Sequence, residues 1–511
     1  MEPEGSNDPP APLMTRWMLL LGAALAVPDA LAQSAADPAA PIDRIMIVGS
    51  SMALRVEAAA APYRGRPTSE AVLRDLAERL ASIYARSDIA IYTISAESAG
   101  PGMVEIAVAE GRIERLQLEG DAPPLAHARA RRIAAPLLAQ QPLRKTALRR
   151  AVRLIGDLTG VAAQADLIAG AAPDALVLRL RLTRRPTQFV ARIDNGGASA
   201  LGRTHGQLSA RFANLLTGGD QAELLYDHAL DGDSSAAGIS YALPVGTKGL
   251  ALALSASKAQ GSFYQALFRV RTQALSLGMS YPLVAGEQSL LVASASLDAQ
   301  QSDTFLLDYP LIIERTRIAR AGLGWSRATA RTSAFASAAL AVALDLPGAR
   351  VTGEIADTRF AKLRVNLGYD RMIARDAALR ARLVAQLSRD RLTSAEMLQL
   401  GGADFGRAFE PGWVGGDSGA AASVELGWAP QRLQGRRQVE LIGYLDGGQV
   451  HYRDRTLFPA RTYRLASAGA GARISEGGLQ CDLMMSRALH DPFAQTNRPW
   501  RLTVRVSLRF P

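Results

Sequence analysis

The sequence is poor in three things, and each shortage narrows what the protein can be. It has one cysteine, Cys481, in 511 residues. A lone thiol makes no internal disulfide and no cysteine-based metal site. In its apolar-rich stretch it reads as a small packed side chain rather than a nucleophile. Beyond the N-terminus there is no apolar run of about 18 residues, which excludes helical membrane spans in the mature chain. A transmembrane barrel stays open, because its strands cross in about 10 residues and alternate in polarity. Aromatic residues make up 6% of the chain, few for a barrel with full interfacial girdles.

What is plentiful is apolar residues, at 48%, and positive charge, at a formal +10. In a soluble protein that charge would suggest nucleic acid. Here the arginines recur singly between apolar residues, as at Arg179, Arg181, Arg501, Arg505 and Arg509. They read as the coating of one strand face, and no nucleic-acid partner is expected. The histidines (127, 205, 228, 451 and 490) are scattered without metal-ligand spacing. Gly469-Ala470-Gly471 has no following helix and is no dinucleotide loop. Gly416-Asp417-Ser418-Gly419 mimics a serine-protease nucleophile segment, but no histidine has a protease context. The expectation is no enzyme, no metal and no cofactor.

The N-terminus reads as an export signal. Met14-Thr15-Arg16 supplies a short basic region, Trp17 to Val27 is apolar, and Ala30-Leu31-Ala32 is a small-x-small cleavage site. Residues 1–32 are therefore assigned to a signal peptide with Met14 as its initiator, and 33–41 to a short linker.

Two small α/β modules are expected next, at 42–120 and 121–186. In the first, Ile42 to Val48 reads as a strand. Glu70 to Ala85 has helical periodicity, with Leu73, Leu76, Leu80 and Tyr84 on one face and Thr68 or Ser69 as cap. Ile91 to Ala96 and Met103 to Ala109 read as strands, and an exit strand lies between Gly111 and Gly120. In the second, His127 to Leu138 and a stripe through Leu148, Val152, Ile155 and Leu158 read as helices. Val161 to Leu167 and Ala175 to Leu182 read as strands.

From Thr187 onward the helical stripes end. Segments of 10–14 residues alternate apolar and polar between turn residues, starting near 188, 204, 221, 236, 249, 266, 288, 316, 332, 361, 378, 420, 438, 461, 478 and 498. The last is the clearest. Trp500, Leu502, Val504, Val506, Leu508 and Phe510 point one way, and Arg501, Thr503, Arg505, Ser507 and Arg509 the other. A soluble all-β domain of roughly 325 residues would normally divide. In lipid every backbone group must be paired, so strands are viable only as a closed ring. The expected fold is mainly β: a 16-stranded antiparallel transmembrane barrel over 187–511, preceded by the two modules.

The pattern resembles the outer-membrane transporters of two-partner secretion, the haemolysin secretion/activation proteins, over nearly all of 42–510. Val108-Ala109-Glu110-Gly111-Arg112-Ile113 is similar to the family's V-x-E-G-R-I ending, Asp194-Asn195-Gly196-Gly197 to its D-N-x-G strand end, and Asn214-Leu215-Leu216 with Gly219-Asp220 to its N-L-L…G-D hairpin. The most specific match is the segment 401–419. It holds Leu400-Gly401-Gly402, then Phe405-Gly406-Arg407-Ala408-Phe409, then Gly416-Asp417-Ser418-Gly419. It is similar to a loop of pattern L-G-G…V-R-G-[FY]…G-D-x-G, with Gly406 for the valine and Ala408 for the glycine. Tyr444-Leu445-Asp446-Gly447-Gly448 is similar to the family's F-x-D-x-G wall element.

The resemblance implies two POTRA modules, a 16-stranded barrel, and a loop folded into the lumen and locked through Arg407 and Phe409 on Tyr444, Asp446 and Gly448. A guanidinium drawn into a narrow lumen needs a carboxylate partner, which favours an Arg407–Asp446 pair. Some members plug the pore with an N-terminal helix. Between Gln33 and Pro41 there is no space for one, so the protein is expected either to lack the plug or to close its pore with the loop alone.

The implied activity is secretion of a partner exoprotein. The POTRA modules bind it unfolded, by strand addition at a sheet edge, and the arginine-rich lumen passes it as a hydrated chain. The other partners expected are outer-membrane lipid and, for insertion, the barrel-assembly machinery, with the protein monomeric. An assembly insertase shares the architecture but usually has more than two modules. A plain porin lacks both modules and loop motif.

Overall fold

The computed structural model describes residues 40–264, 266–353, 355–430, 437–456, 458–493 and 500–510. The signal segment, the Met14 start, most of the 33–41 linker and Pro511 lie outside them.

The first module runs β1 (Arg44–Val48), α1 (Ala53–Ala60), α2 (Glu70–Arg86), β2 (Tyr92–Gly100) and β3 (Met103–Glu110). Ser69 caps α2, its hydroxyl accepting from the Val72 N–H at 3.4 Å. The sheet order is β1-β3-β2, with β1 parallel to β3. Leu76, Leu80 and Tyr84, at three- and four-residue spacing on α2, are wholly buried against Val104 and Ile106 of β3. The Tyr84 hydroxyl donates to Glu110 at 2.8 Å and lies 2.5 Å from Ser50 Oγ. Burial pushes its pKa up to about 12, so it remains a donor at physiological pH.

The second module repeats this order as β4 (Arg112–Glu119), α3 (Pro124–Ala134), α4 (Lys145–Gly156), β5 (Val161–Ala169) and β6 (Ala175–Arg184), with sheet order β4-β6-β5. This corrects the 120/121 boundary. Residues 112–119, expected as the exit strand of the first module, pair in parallel with β6. A strand belongs to the sheet that satisfies its N–H and C=O groups, so the division falls at Gly111. Helix α1 carries no clean apolar stripe and was not foreseen.

Among the described residues, sixteen wall strands close into an antiparallel barrel. They are β7 (Gln188–Asp194), β8 (His205–Ala213), β9 (Gln221–Ala229), β10 (Asp233–Val245), β11 (Leu250–Phe263), β12 (Phe268–Ala285), β13 (Ser289–Leu306), β14 (Tyr309–Ala328), β15 (Thr332–Ala343), β17 (Ala361–Met372), β18 (Ala377–Ser388), β21 (Ser418–Trp428), β22 (Arg437–Tyr452), β23 (Arg461–Glu476), β24 (Leu479–His490) and β25 (Arg501–Phe510). A two-residue strand, β16 (Arg350–Val351), pairs with β14. Strands β19 (Leu398–Leu400) and β20 (Val414–Gly416) lie in the loop before β21. The ring shuts where β25 pairs β7, from Arg505↔Asp194 to Phe510↔Phe189.

The expected strand starts fall within three residues of those observed, except the one near Thr316, which lies inside β14. Pro310 reads as a strand breaker, but it sits at a register irregularity opposite Phe305, where the ladder tolerates it.

The polarity of the wall is the inverse of a soluble core. Leu426, Leu445 and Leu502 are 54%, 56% and 53% exposed, while Ser423 and Asp446 on the alternate face are each 3%. Exposed apolar side chains recur on strand after strand, far beyond the few hundred Å² a soluble monomer shows. That surface suits lipid, and the inner face is polar. No helix of the described residues is long and apolar enough to cross a membrane.

Candidate functional site: the inward loop

The segment between β18 and β21 is tied at many points to inward-facing residues of the wall. Strands β19 and β20 make it a narrow hairpin, with Leu398↔Gly416 and Leu400↔Val414 in register. Its tip turns tightly. Gly401, Gly402 and Gly406 have φ of +106°, +93° and +81°, a region open to glycine at little strain. A Cβ on Gly401 would stand 2.2 Å from the Glu410 carbonyl oxygen.

Arg407 extends from this tip to the wall. Its Nη1 donates to Glu425 at 2.8 Å and its Nη2 to Ser423 Oγ at 3.2 Å, both on β21. The guanidinium lies 4.2 Å from the centre of the Tyr444 ring, within cation–π range. Asp446, on β22 opposite Ser423, takes the tip by its backbone. It accepts from the Gly406 N–H at 2.9 Å and the Arg407 N–H at 3.4 Å, and from the Ser467 hydroxyl. The Arg407–Asp446 separation is 3.6 Å, an ion-pair contact rather than a hydrogen bond. The side chain's close carboxylate is therefore Glu425, which the sequence reading missed. Glu425 shares a strand face with Ser423 at period two, but only the register places that face under Arg407.

Phe409 is buried among Leu398, Leu400, Val450 and Leu465 and tilts against Trp413, ring centres 5.9 Å apart. Gly448 leaves the room this packing needs, since a Cβ there would meet Ala421 Cβ at 2.6 Å and Leu400 Cδ1 at 2.9 Å. Gly416 and Gly419 likewise lie close to the β22 backbone: a Cβ would meet the His451 carbonyl oxygen at 2.8 Å and the Gln449 carbonyl oxygen at 2.4 Å respectively.

Asp417 does not act at the tip. It forms a bidentate pair with Arg455, at 2.9 and 3.0 Å, and both side chains are fully buried. It also accepts the N–H of Leu392 at 2.7 Å and of Arg453 at 2.8 Å. Neighbouring Ser418 donates to the Ser388 carbonyl at 2.9 Å, so this serine closes the end of the loop onto β18. Its register partner His451 instead has Nδ1 3.1 Å from Thr462 Oγ1.

A second unforeseen group is Glu396, on the incoming limb. It meets Arg320 of β14 at 2.6 Å and Lys362 of β17 at 2.8 Å. Burial alone would raise its carboxyl, but these two cations outweigh burial and hold it below the usual carboxylate range. Along the neighbouring wall Glu425, Arg380, Glu440, Arg473 and Asp482 form a ladder of alternating charge on β18 and β21–β24. Buried and half-buried charges are tolerable when each is paired in this way.

These features define a class, the transmembrane β-barrel with its own loop fastened inside. A family model described as Haemolysin secretion/activation protein ShlB/FhaC/HecB matches residues 176–474, more than half of the chain, and the chain belongs to that family. It is 24% identical over 389 residues to the outer membrane transporter CdiB of Escherichia coli, a match covering 72% of this chain and 65% of that relative. The solved structure of CdiB from Escherichia coli superposes with a TM-score of 0.78 at 20% identity, covering 98% of this chain and 94% of that one. CdiB from Acinetobacter baumannii gives 0.71 at 16% identity, covering 93% and 91%. These structures share the fold. The barrel is an outer-membrane one and the N-terminal modules, POTRA domains, are periplasmic.

Proposed function

We propose that this chain secretes a partner exoprotein across the outer membrane. The POTRA modules take up the unfolded partner at an exposed sheet edge, the lumen passes it as an extended hydrated chain, and folding outside supplies the direction. The loop is the part that must rearrange, and Arg407 is its lock. One observation carries this reading: in a barrel of this family, the loop tip is fastened to the inner wall by a paired guanidinium and a carboxylate that collects two tip N–H groups. The chain is taken to act as a monomer, inserted by the barrel-assembly machinery.

Deleting the gene is expected to remove one large protein from the culture medium while leaving the outer-membrane protein profile intact. A depleted profile would replace transport with an insertase reading. Asp446→Ala leaves Arg407 its Glu425 contact but removes the acceptor of two tip N–H groups. It is expected to cut secretion severely while the barrel still inserts, scored by exoprotein in the medium and heat-modifiable gel mobility. Secretion at the unsubstituted level would eliminate the lock.

A further inference from the structure

The loop is fastened in two places, and the fastenings are built differently. At the tip, both wall carboxylates have partners that do not depend on Arg407. Glu425 is also 3.0 Å from Arg380, and Asp446 keeps the Ser467 hydroxyl. If Arg407 withdraws, neither is left bare. Arg407 itself is 19% exposed and Glu425 12%, so water reaches both as they part.

The base of the loop is the opposite case. Glu396 and Lys362 are 3% and 6% exposed. The Lys362 ammonium donates to the Glu396 carbonyl at 2.6 Å, and beyond Glu396 it has Gln386 Oε1 at 3.4 Å. Gln386 Nε2, wholly buried, donates to the carbonyls of both Glu396 and Asp417, at 3.0 and 3.3 Å. It therefore bridges the incoming and outgoing limbs. Asp417 and Arg455 are fully buried, and Arg455 also donates to the Leu392 carbonyl at 3.1 Å. Releasing this base would strand buried charges, which is far more unfavourable than exchanging partners at a wet site.

We infer that Glu396, clasped by Arg320 and Lys362, is a positioning residue that keeps the base of the loop fixed to β14 and β17 when the tip lets go. The loop then pivots at the tip instead of leaving the lumen whole. This rests on the tip-lock reading of the transporter, and its test separates the two.

The full chain carrying Cys481→Ser receives one reporter cysteine, either Ala408→Cys at the tip or Thr393→Cys, which replaces a buried side chain at the base. Both are labelled with a maleimide in outer-membrane vesicles. Arg407→Ala is expected to raise labelling at 408 and leave 393 protected. Glu396→Ala is expected to raise labelling at 393 by roughly tenfold or more, as loss of a buried ionic partner implies. Glu396→Gln, which can still accept from Arg320 and Lys362, is expected to restore most of the protection. Lys362→Met approaches the clasp from the wall side and is expected to expose 393 too, so the test survives if Glu396→Ala fails to fold by gel mobility. Protection of 393 in both Glu396→Ala and Lys362→Met overturns the inference, as does its exposure by Arg407→Ala alone. Failure of Arg407→Ala to expose 408 would sink the tip lock instead.

Discussion

The periplasmic modules and the barrel use one amino-acid alphabet with opposite orientation. In the first module the large apolar side chains of α2 point inward and are sealed, as Leu76, Leu80 and Tyr84 show. In the barrel Leu426, Leu445 and Leu502 point outward, and Asp446, Gln386, Asp417 and Arg455 are sealed inside beside a small apolar cluster around Phe409. The difference teaches that the surrounding medium, not the residue, decides which face is a core. A module in water must bury apolar area to fold. A ring in lipid already has apolar surroundings, so it can place its scarce packing contacts and its charges together inside.

That contrast can be broken deliberately. The largest effect is expected from Arg455→Leu, which leaves the fully buried Asp417 without its partner and should destabilise the barrel by about 3–5 kcal/mol. It would be read as a lower temperature for loss of the folded band on unheated gels. Leu80→Ala empties a core site in the first module and should lower its stability by about 2–5 kcal/mol. Proteolysis of the full chain should then cut the module while the barrel stays resistant. Leu445→Arg introduces a charge on the lipid face and should disfavour insertion by about 2–4 kcal/mol near the bilayer centre, measured as reduced recovery in the outer membrane. An inward-facing neighbour changed to arginine, Ile442→Arg, would not be the same test, because that face already carries Glu440 and Asp446.

The smallest expected effect sharpens the arm. Lys145, opening α4, donates to the carbonyls of Ala85 and Ser87 at 2.9 and 3.0 Å, where α2 ends. Asp88 in return accepts from the Thr146 N–H at 3.0 Å and its hydroxyl at 2.8 Å. Each helix end is thus capped by the residue that continues the other module, which restrains the joint. Lys145→Met should remove about 1 kcal/mol of this bonding, read as faster hydrogen exchange at residues 85–88 without unfolding of either module.

Much of this architecture is legible in the amino-acid sequence. Period two in the last segment and in β22 separates the lipid face from the lumen face, because a strand can present its side chains in no other way. The α2 stripe ending at Tyr84 is equally explicit. The division between the modules was not legible, because β4 sits next to β3 in the chain but pairs with β6, starting at Arg112↔Ala175. The site was half legible. Arg407, Phe409, Tyr444, Asp446 and the glycines are brought together, but Glu425, Ser467, Glu396, Lys362 and Arg455 look like ordinary polar residues on strands and loops until the register is known.

The order of residues alone determined two things: which side of each strand meets lipid, and where glycine lets the loop bend. Both are local, set by backbone sterics and by alternation within a few residues. Only closure of the ring decided which carboxylate receives Arg407 and which cations hold Glu396. Glu425 comes from the strand that follows the loop, while Arg320 and Lys362 come from strands 76 and 34 residues before Glu396. A hydrogen bond exists only where the shear of the barrel brings donor and acceptor to within about 3 Å.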